Sequence, residues 1–231
     1  MKKSELLSLM QGNLIVSCQA LIGEPLYLED GTIMPLMARA AKEAGACAIR
    51  TNSTRDVLAI KEETGLPIIG LIKHNIEGYE PFITPTMKEV HALVQAHADI
   101  IAFDATMRPR ADGLSVEAFV KAIRDTYPDT YLMADISTYE EGISAAKAGV
   151  DFIGTTLSGY TDYTLTRPSP DFELVSKLAK DLDIPVLAEG RIHTPEEAKH
   201  MLEVGAFAVV VGGAITRPLE ITQRFLKAMK G

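Results

Sequence analysis

Three segments of this chain repeat one pattern at an even spacing, and that spacing limits the folds open to it. AAKEAGACAIRT (40–51), SAAKAGVDFIGTT (144–156) and MLEVGAFAVVVGG (201–213) each read as the end of an alanine-rich helix, a glycine, and a short buried strand. Glycine suits the helix C-terminus because it accepts a left-handed backbone without steric cost. Gly45, Gly149 and Gly205 lie 104 and 56 residues apart. These intervals divide into four units of about 26 residues and two of about 28, the length of one strand–helix unit.

A second pair keeps the same count. LPIIGLIK (66–73) and IPVLAEG (184–190) open strands with Pro67 and Pro185, which are 118 residues apart, again about four units. Further strands fit at 13–18, 99–104 and 130–135, all rich in Ile, Val, Ala and Leu, as strands covered on both faces should be. About eight alternating units predict an α/β chain folded as a (β/α)8 TIM barrel, one catalytic domain over 1–231, with a short N-terminal helix at 3–10. A doubly wound open sheet shares the local grammar but has no need of even spacing. Helix starts agree: Thr194-Pro195-Glu196-Glu197 offers a cap, a first-turn proline and a capping-box glutamate, and Ser115 and Ser169-Pro170 read as further caps. Segments after strands, at 19–32, 74–87, 104–114 and 156–170, are long and polar, whereas those before strands shrink to a residue or two. That asymmetry predicts an active site on the C-terminal face, with 156–170 a candidate lid.

Composition narrows the function. A formal charge of -8 argues against nucleic acid as a partner, because phosphate backbones need basic surfaces. No apolar run is long enough to span a bilayer, and Glu5, Gln11 and Asn13 interrupt what would be a signal-peptide core at the start. Cys18 and Cys47 form neither a disulfide framework nor a zinc motif, so reduced thiols and a cytoplasmic address are expected. The sequon Asn52-Ser53-Thr54 carries no weight without a secretory signal. No histidine pair has metal spacing and no nucleotide fingerprint follows the first strand, so neither a tightly bound metal nor a nucleotide cofactor is expected.

The strand ends supply the chemistry. Gln19, Arg50, Lys73, Asp104, Asp135, Thr155, Glu189, Gly190-Arg191 and Gly212-Gly213 would converge on one barrel mouth. Lys73 follows an apolar run, where desolvation and neighbouring positive charge would lower its pKa and make it a usable base or nucleophile. Glu189 ends a strand four units away, across the mouth, where it could pair with a cation or act as an acid. Gly190-Arg191 and Gly212-Gly213 end the last two strands, the usual phosphate cradle of such barrels. Arg191 and Arg217 would add charge-assisted contacts.

SCQA (17–20), AIRTN (48–52), IIGLIKH (68–74), MADIST (133–138), DFIGTTLSGYT (151–161), LAEGRIHTPEEA (187–198) and VVVGGAITRP (209–218) together resemble the N-acetylmannosamine-6-phosphate 2-epimerases of sialic acid breakdown. The resemblance covers essentially the whole chain. It implies cofactor-independent interconversion of N-acetylmannosamine 6-phosphate and N-acetylglucosamine 6-phosphate, and a homodimer. It further implies Lys73 as catalytic base and Glu189 as a sugar contact assisting proton traffic. Gln19, Arg50 and Asp135 would bind substrate, while Gly190, Arg191, Gly213 and Arg217 would hold its phosphate. Two other readings are a Schiff-base aldolase, since a barrel lysine also attacks carbonyls, and a non-catalytic sugar-phosphate-binding barrel, which would need neither a buried lysine nor an opposed carboxylate.

Overall fold

A computed structural model describes residues 2–164 and 169–230. Parallel strands β1 (Leu14–Cys18), β2 (Ala48–Asn52), β3 (Ile68–Leu71), β4 (Ile100–Asp104), β5 (Tyr131–Asp135), β6 (Phe152–Gly154), β7 (Val186–Glu189) and β8 (Ala208–Val211) pair in chain order and close β8 onto β1. Helix α1 (Lys3–Met10) precedes β1, and α2 (Met34–Glu43), α3 (Thr54–Thr64), α4 (Met87–Gln95), α5 (Val116–Thr126), α6 (Tyr139–Ala148), α7 (Phe172–Asp181), α8 (Pro195–Glu203) and α9 (Pro218–Lys230) follow successive strands. The (β/α)8 expectation holds.

The three repeated glycines act as the pattern requires. Their φ angles are 101°, 93° and 109° at Gly45, Gly149 and Gly205. After each, the next amide reaches back to close the helix end: Ala46 donates to the Ala41 carbonyl, Val150 to Ala145 and Ala206 to Met201. At Gly149 no neighbour crowds the missing Cβ, so backbone conformation alone excludes other residues. Gly149→Ala should therefore cost about 1 kcal/mol, read as a lower urea midpoint at unchanged slope. Pro67 and Pro185 stand just outside β3 and β7, where each carbonyl accepts from a neighbouring strand (Ile49 and Ile153, both at 3.0 Å) and no amide donor is needed.

Side-chain alternation along the strands divides two cores. Ile15, Ala48, Ile69, Leu71, Ile100, Ala102, Met133, Phe152, Leu187, Ala208 and Val210 fill the barrel interior, closed at the N-terminal end by Leu6 and Met10 of α1. The alternate set, including Val16, Ile49, Ile68, Ile101, Phe103 and Val209, packs outward against the helices. Extending the inward parity one step toward the C-terminal end reaches Ser17, Arg50, Lys73, Asp104, Asp135, Glu189 and Gly212. Hydrophobic packing thus fixes the ring in which the polar residues sit.

Two local expectations need correction, the length of the helix-to-strand connections and the cap of α7. Helix-to-strand connections run to three or four residues rather than one or two, because the left-handed turn and the outward step to the strand consume that length. Strand-to-helix segments are long after β1, β3, β4 and β6, but only Ser53 separates β2 from α3. Helix α7 is capped by Asp171, whose carboxylate accepts from the Leu174 amide at 3.1 Å, and not by Ser169. Residues 165–168 of the candidate lid lie outside the described residues. Thr194 and Ser115 cap α8 and α5 as expected. Helix α9 has no buried residue, and Phe225 and Met229 are 69% and 80% exposed.

Candidate active site

At the C-terminal mouth a cavity of about 340 Å3 is lined by Gln19, Arg50, Lys73, Glu189, Gly190, Arg191, Gly212, Gly213 and Arg217. All but one of the expected site residues therefore share one space. The exception is Asp135: it is wholly buried and does not line the cavity. Its carboxylate receives Arg50 through Nη1 at 3.2 Å and Nη2 at 2.6 Å, and accepts from Thr156 Oγ1 at 2.6 Å. Asp135 thus lies beneath the cavity floor and holds Arg50 and Thr156 from below.

That floor is a buried charge network. Arg50 Nε lies 3.2 Å from Glu189 Oε1, and Thr156 Oγ1 reaches Glu189 Oε2 at 3.1 Å. The Arg50 Nε–H is not aligned on that oxygen and has no hydrogen-bond acceptor, so electrostatic attraction holds the pair there. Gly154 makes room for the network: a Cβ there would sit 2.2 Å from Met133 Cε and 3.0 Å from Asp135 Oδ1. A bidentate, wholly buried Arg–Asp pair cannot lose one partner cheaply, so Arg50 is held rigidly.

Lys73 departs from expectation in one respect. Strand β3 ends at Leu71, and Lys73 lies two residues beyond, bridged antiparallel to Ile83. The segment 72–84 folds back on itself through His74 N–H to the Phe82 carbonyl (2.8 Å) and Thr84 N–H to Ile72 (2.7 Å). Asn52 Oδ1 accepts the Lys73 amide at 2.7 Å and anchors it to β2. The bridge preserves the inward parity of Ile69 and Leu71, so the ammonium still lines the cavity. It enters no ion pair within 4.0 Å among the described residues. Burial, reinforced by Arg217 and Arg50, pushes its pKa down to about 8. Across the mouth, burial pushes the Glu189 carboxyl up to about 7, with Asp135 adding to the rise and Arg50 opposing it.

The glycine turns form an open cradle. The amides of Gly190, Gly212 and Gly213 make no hydrogen bond to other described residues. Arg191 adopts a left-handed φ of 56°, unusual for a residue with a side chain. Its guanidinium donates to the carbonyls of Ser158 (2.5 Å) and Gly159 and stacks 4.0 Å over Tyr160, tying β7 to the segment after β6. Two residues not singled out from sequence hold Arg217: Glu24 Oε1 at 3.2 Å and Glu220 Oε1 at 3.1 Å. Glu220 also overlies Gly213, where a Cβ would come within 2.1 Å of Oε2, so a carboxylate occupies the space above the cradle. Gln19 donates to Ser17 Oγ at 2.9 Å while its own Oε1 is buried without a donor, an acceptor still to be satisfied.

Other polar strand ends are structural. Asp104 accepts from Thr106 and from Arg108 Nη2 at 2.8 Å, and Thr155 Oγ1 clamps the backbone of Glu189. His74 pairs with Glu89 at 3.0 Å. The sequence points to Thr155 as the polar end of β6, whereas the inward parity from Phe152 through Gly154 leads to Thr156. Among the described residues no group of three or more His, Cys, Asp or Glu side chains could hold a metal ion.

Residues 34–231 match a family model described as "Putative N-acetylmannosamine-6-phosphate epimerase". A protein of Caldanaerobacter subterraneus subsp. tengcongensis named "Putative N-acetylmannosamine-6-phosphate 2-epimerase" is 54% identical over 226 residues, covering 98% of this chain and 94% of its own. One of the same name from Clostridium perfringens is 53% identical, covering 97% and 100%. Among solved structures, the N-acetylmannosamine-6-phosphate 2-epimerase from Clostridium perfringens superposes with a TM-score of 0.92 at 51% identity, covering 99% and 98%. Thiamine phosphate pyrophosphorylase from Pyrococcus furiosus, at 18% identity and TM-score 0.61 over 98% and 100%, shares the fold.

Proposed function

The chain belongs to the N-acetylmannosamine-6-phosphate epimerase family, and on that premise we propose that its barrel mouth interconverts N-acetylmannosamine 6-phosphate and N-acetylglucosamine 6-phosphate by moving the C2 proton. The observation that carries this reading is the pair Lys73, just beyond β3, and Glu189, ending β7, facing one cavity from opposite sides of the barrel. The C2 proton is acidic only when C1 is an open-chain aldehyde. Its removal gives an enolate, and return of a proton to the other face inverts the centre. Opposed groups of nearly matched basicity suit that task, because transfer in either direction is then close to balanced. Lys73 serves one face and Glu189 the other. Asp135, wholly buried beneath Arg50, is unsuited to be the second acid. Arg50 supplies fixed positive charge beside the developing oxyanion, and Gln19 Oε1 accepts from a sugar hydroxyl.

At the far end the phosphate lies on the amides of Gly190, Gly212 and Gly213 with Arg191 and Arg217. Two acids already balance Arg217, so a phosphate must displace Glu220 to reach it. The outward apolar face of α9 supports a second copy of this chain as the remaining partner. No helix among the described residues is long and apolar enough to cross a membrane.

Purified protein supplied with N-acetylmannosamine 6-phosphate alone should bring it to equilibrium with the gluco epimer, and borohydride should trap no covalent adduct. A lysine adduct would favour the aldolase, while binding without conversion would favour a sensor. Proton traffic through two groups also has a pH signature. Starting from one epimer the enzyme needs neutral Lys73 with protonated Glu189; from the other it needs the reverse. Both states carry the same number of protons. The kcat/KM profile should therefore be a bell in each direction, rising near pH 7 and falling near pH 8. A lysine working alone would instead give a profile that rises toward pH 8 and stays high.

A further inference from the structure

The space at the barrel mouth does not end at Lys73. Lys73 and Phe82 are shared with a second cavity of about 560 Å3, whose other walls include Ala20, Leu21 and Ile22 after β1 and residues 52–56, from the end of β2 into α3. This cavity lies on the β1–β3 side of the mouth, away from the β7–β8 cradle. We infer that it receives the N-acyl group of the substrate and accepts acyl groups longer than acetyl, an inference that rests on the epimerase reading.

Geometry places the group there. With the phosphate on the glycine turns and C2 at Lys73, the substituent on C2 is one bond from the carbon being deprotonated. It must lie against Lys73, and the space beyond Lys73 is the second cavity. The lining fits an acylamide. Asn52 Oδ1 is committed to the Lys73 amide at 2.7 Å, while its Nδ2 donates to no described residue and is free to meet an acyl carbonyl. Ala20, Leu21 and Phe82 offer apolar surface to the alkyl part. Farther out, Arg55 stacks over Tyr27 at 5.9 Å and donates to Asp56 at 3.2 Å, a polar end suited to a hydroxylated acyl chain.

Size is the second argument. Inverting C2 swings the acylamino group from one side of the carbon to the other while C1 and the phosphate stay held. A cavity shaped tightly round one epimer would oppose that swing, so the room must exceed the group. Room for two positions of an acetamido group is also room for one longer acyl chain.

The test compares N-acetyl-, N-glycolyl- and N-butanoyl-mannosamine 6-phosphate as substrates. Conversion of the two longer substrates with kcat/KM within about tenfold of the acetyl compound is expected. Ala20→Phe should then lower kcat/KM for the butanoyl substrate at least about tenfold more than for the acetyl one. Asn75→Trp, at an exposed lining position, should discriminate in the same direction and covers the case in which Ala20→Phe does not fold. Rejection of both longer substrates by more than about a hundredfold, with normal acetyl turnover, would overturn the acyl cavity and leave the epimerase standing. Equal losses on all substrates in both variants would overturn it too. Absence of acetyl turnover in the wild-type protein would instead sink the epimerase reading itself.

Discussion

Lys73→Ala should lower epimerisation, and C2 proton exchange in the epimer whose proton faces Lys73, by about three orders of magnitude while N-acetylmannosamine 6-phosphate still binds. The size follows from what a positioned base contributes, and its confinement to the chemical step follows from how Lys73 is held. Its backbone is anchored by Asn52 and the bridge to Ile83, neither of which needs the side chain. Its ammonium pairs with no carboxylate within 4.0 Å among the described residues, so truncation strips no buried partner. The phosphate cradle and the Arg50–Asp135 floor stay as they are. Kinetics should show kcat collapsing with a modest change in KM, and calorimetry should show the sugar phosphate binding within a few-fold of wild type. A variant that exchanges the C2 proton of both epimers at the wild-type rate would remove Lys73 from the mechanism.

Glu189→Gln should separate two events that Lys73→Ala slows together in the epimer whose proton faces Lys73. Glutamine keeps the shape, and its amide oxygen can still accept from Thr156, but it can neither take nor give a proton at neutral pH. Arg50 remains paired with Asp135 at 2.6 Å, so the floor is not left with an uncompensated charge. Epimerisation should fall by about two to four orders of magnitude. Exchange of the C2 proton with deuterated solvent should persist for the epimer whose proton faces Lys73, and vanish for the other. Loss of exchange in both epimers would make Glu189 necessary to reach the enolate at all. Unchanged epimerisation would assign both faces to Lys73.

Much of this was legible in the residues because a repeat and its strand ends can both be read along the chain. The glycine spacing reports helix ends, whose left-handed turns are local and indifferent to the rest of the fold. The places where apolar strand runs turn polar report which side chains reach the barrel mouth, and they named Arg50, Lys73, Asp135 and Glu189 together. Parity does not report depth: Asp135 faces inward as expected yet lies under Arg50, because a bidentate pair draws both groups below the cavity surface. Nor does an apolar run report where a strand stops. IIGLIK reads as one strand, but hydrogen bonding passes to Ile83 and Phe82 after Leu71, a tertiary choice made fifteen residues ahead of α4. The acids around Arg217 were hidden for a similar reason. Glu24 comes from the loop after β1 and Glu220 from the first turn of α9, and only the closed barrel brings β8 beside β1.

Helix α9 marks another limit. Its apolar positions recur as they would in a helix packed on its own barrel, yet none is buried. An amphipathic pattern specifies that a face must be covered without specifying by what.

The most direct measurement is proton NMR of N-acetylmannosamine 6-phosphate with the purified wild-type protein in deuterated buffer, followed from the first turnovers. The gluco epimer should appear already carrying deuterium at C2, while unreacted manno substrate keeps its proton at first, because the proton returned is not the one removed. Gluco product that forms with its original C2 proton retained would contradict transfer between Lys73 and Glu189. No conversion and no exchange by the folded protein would contradict the epimerase itself.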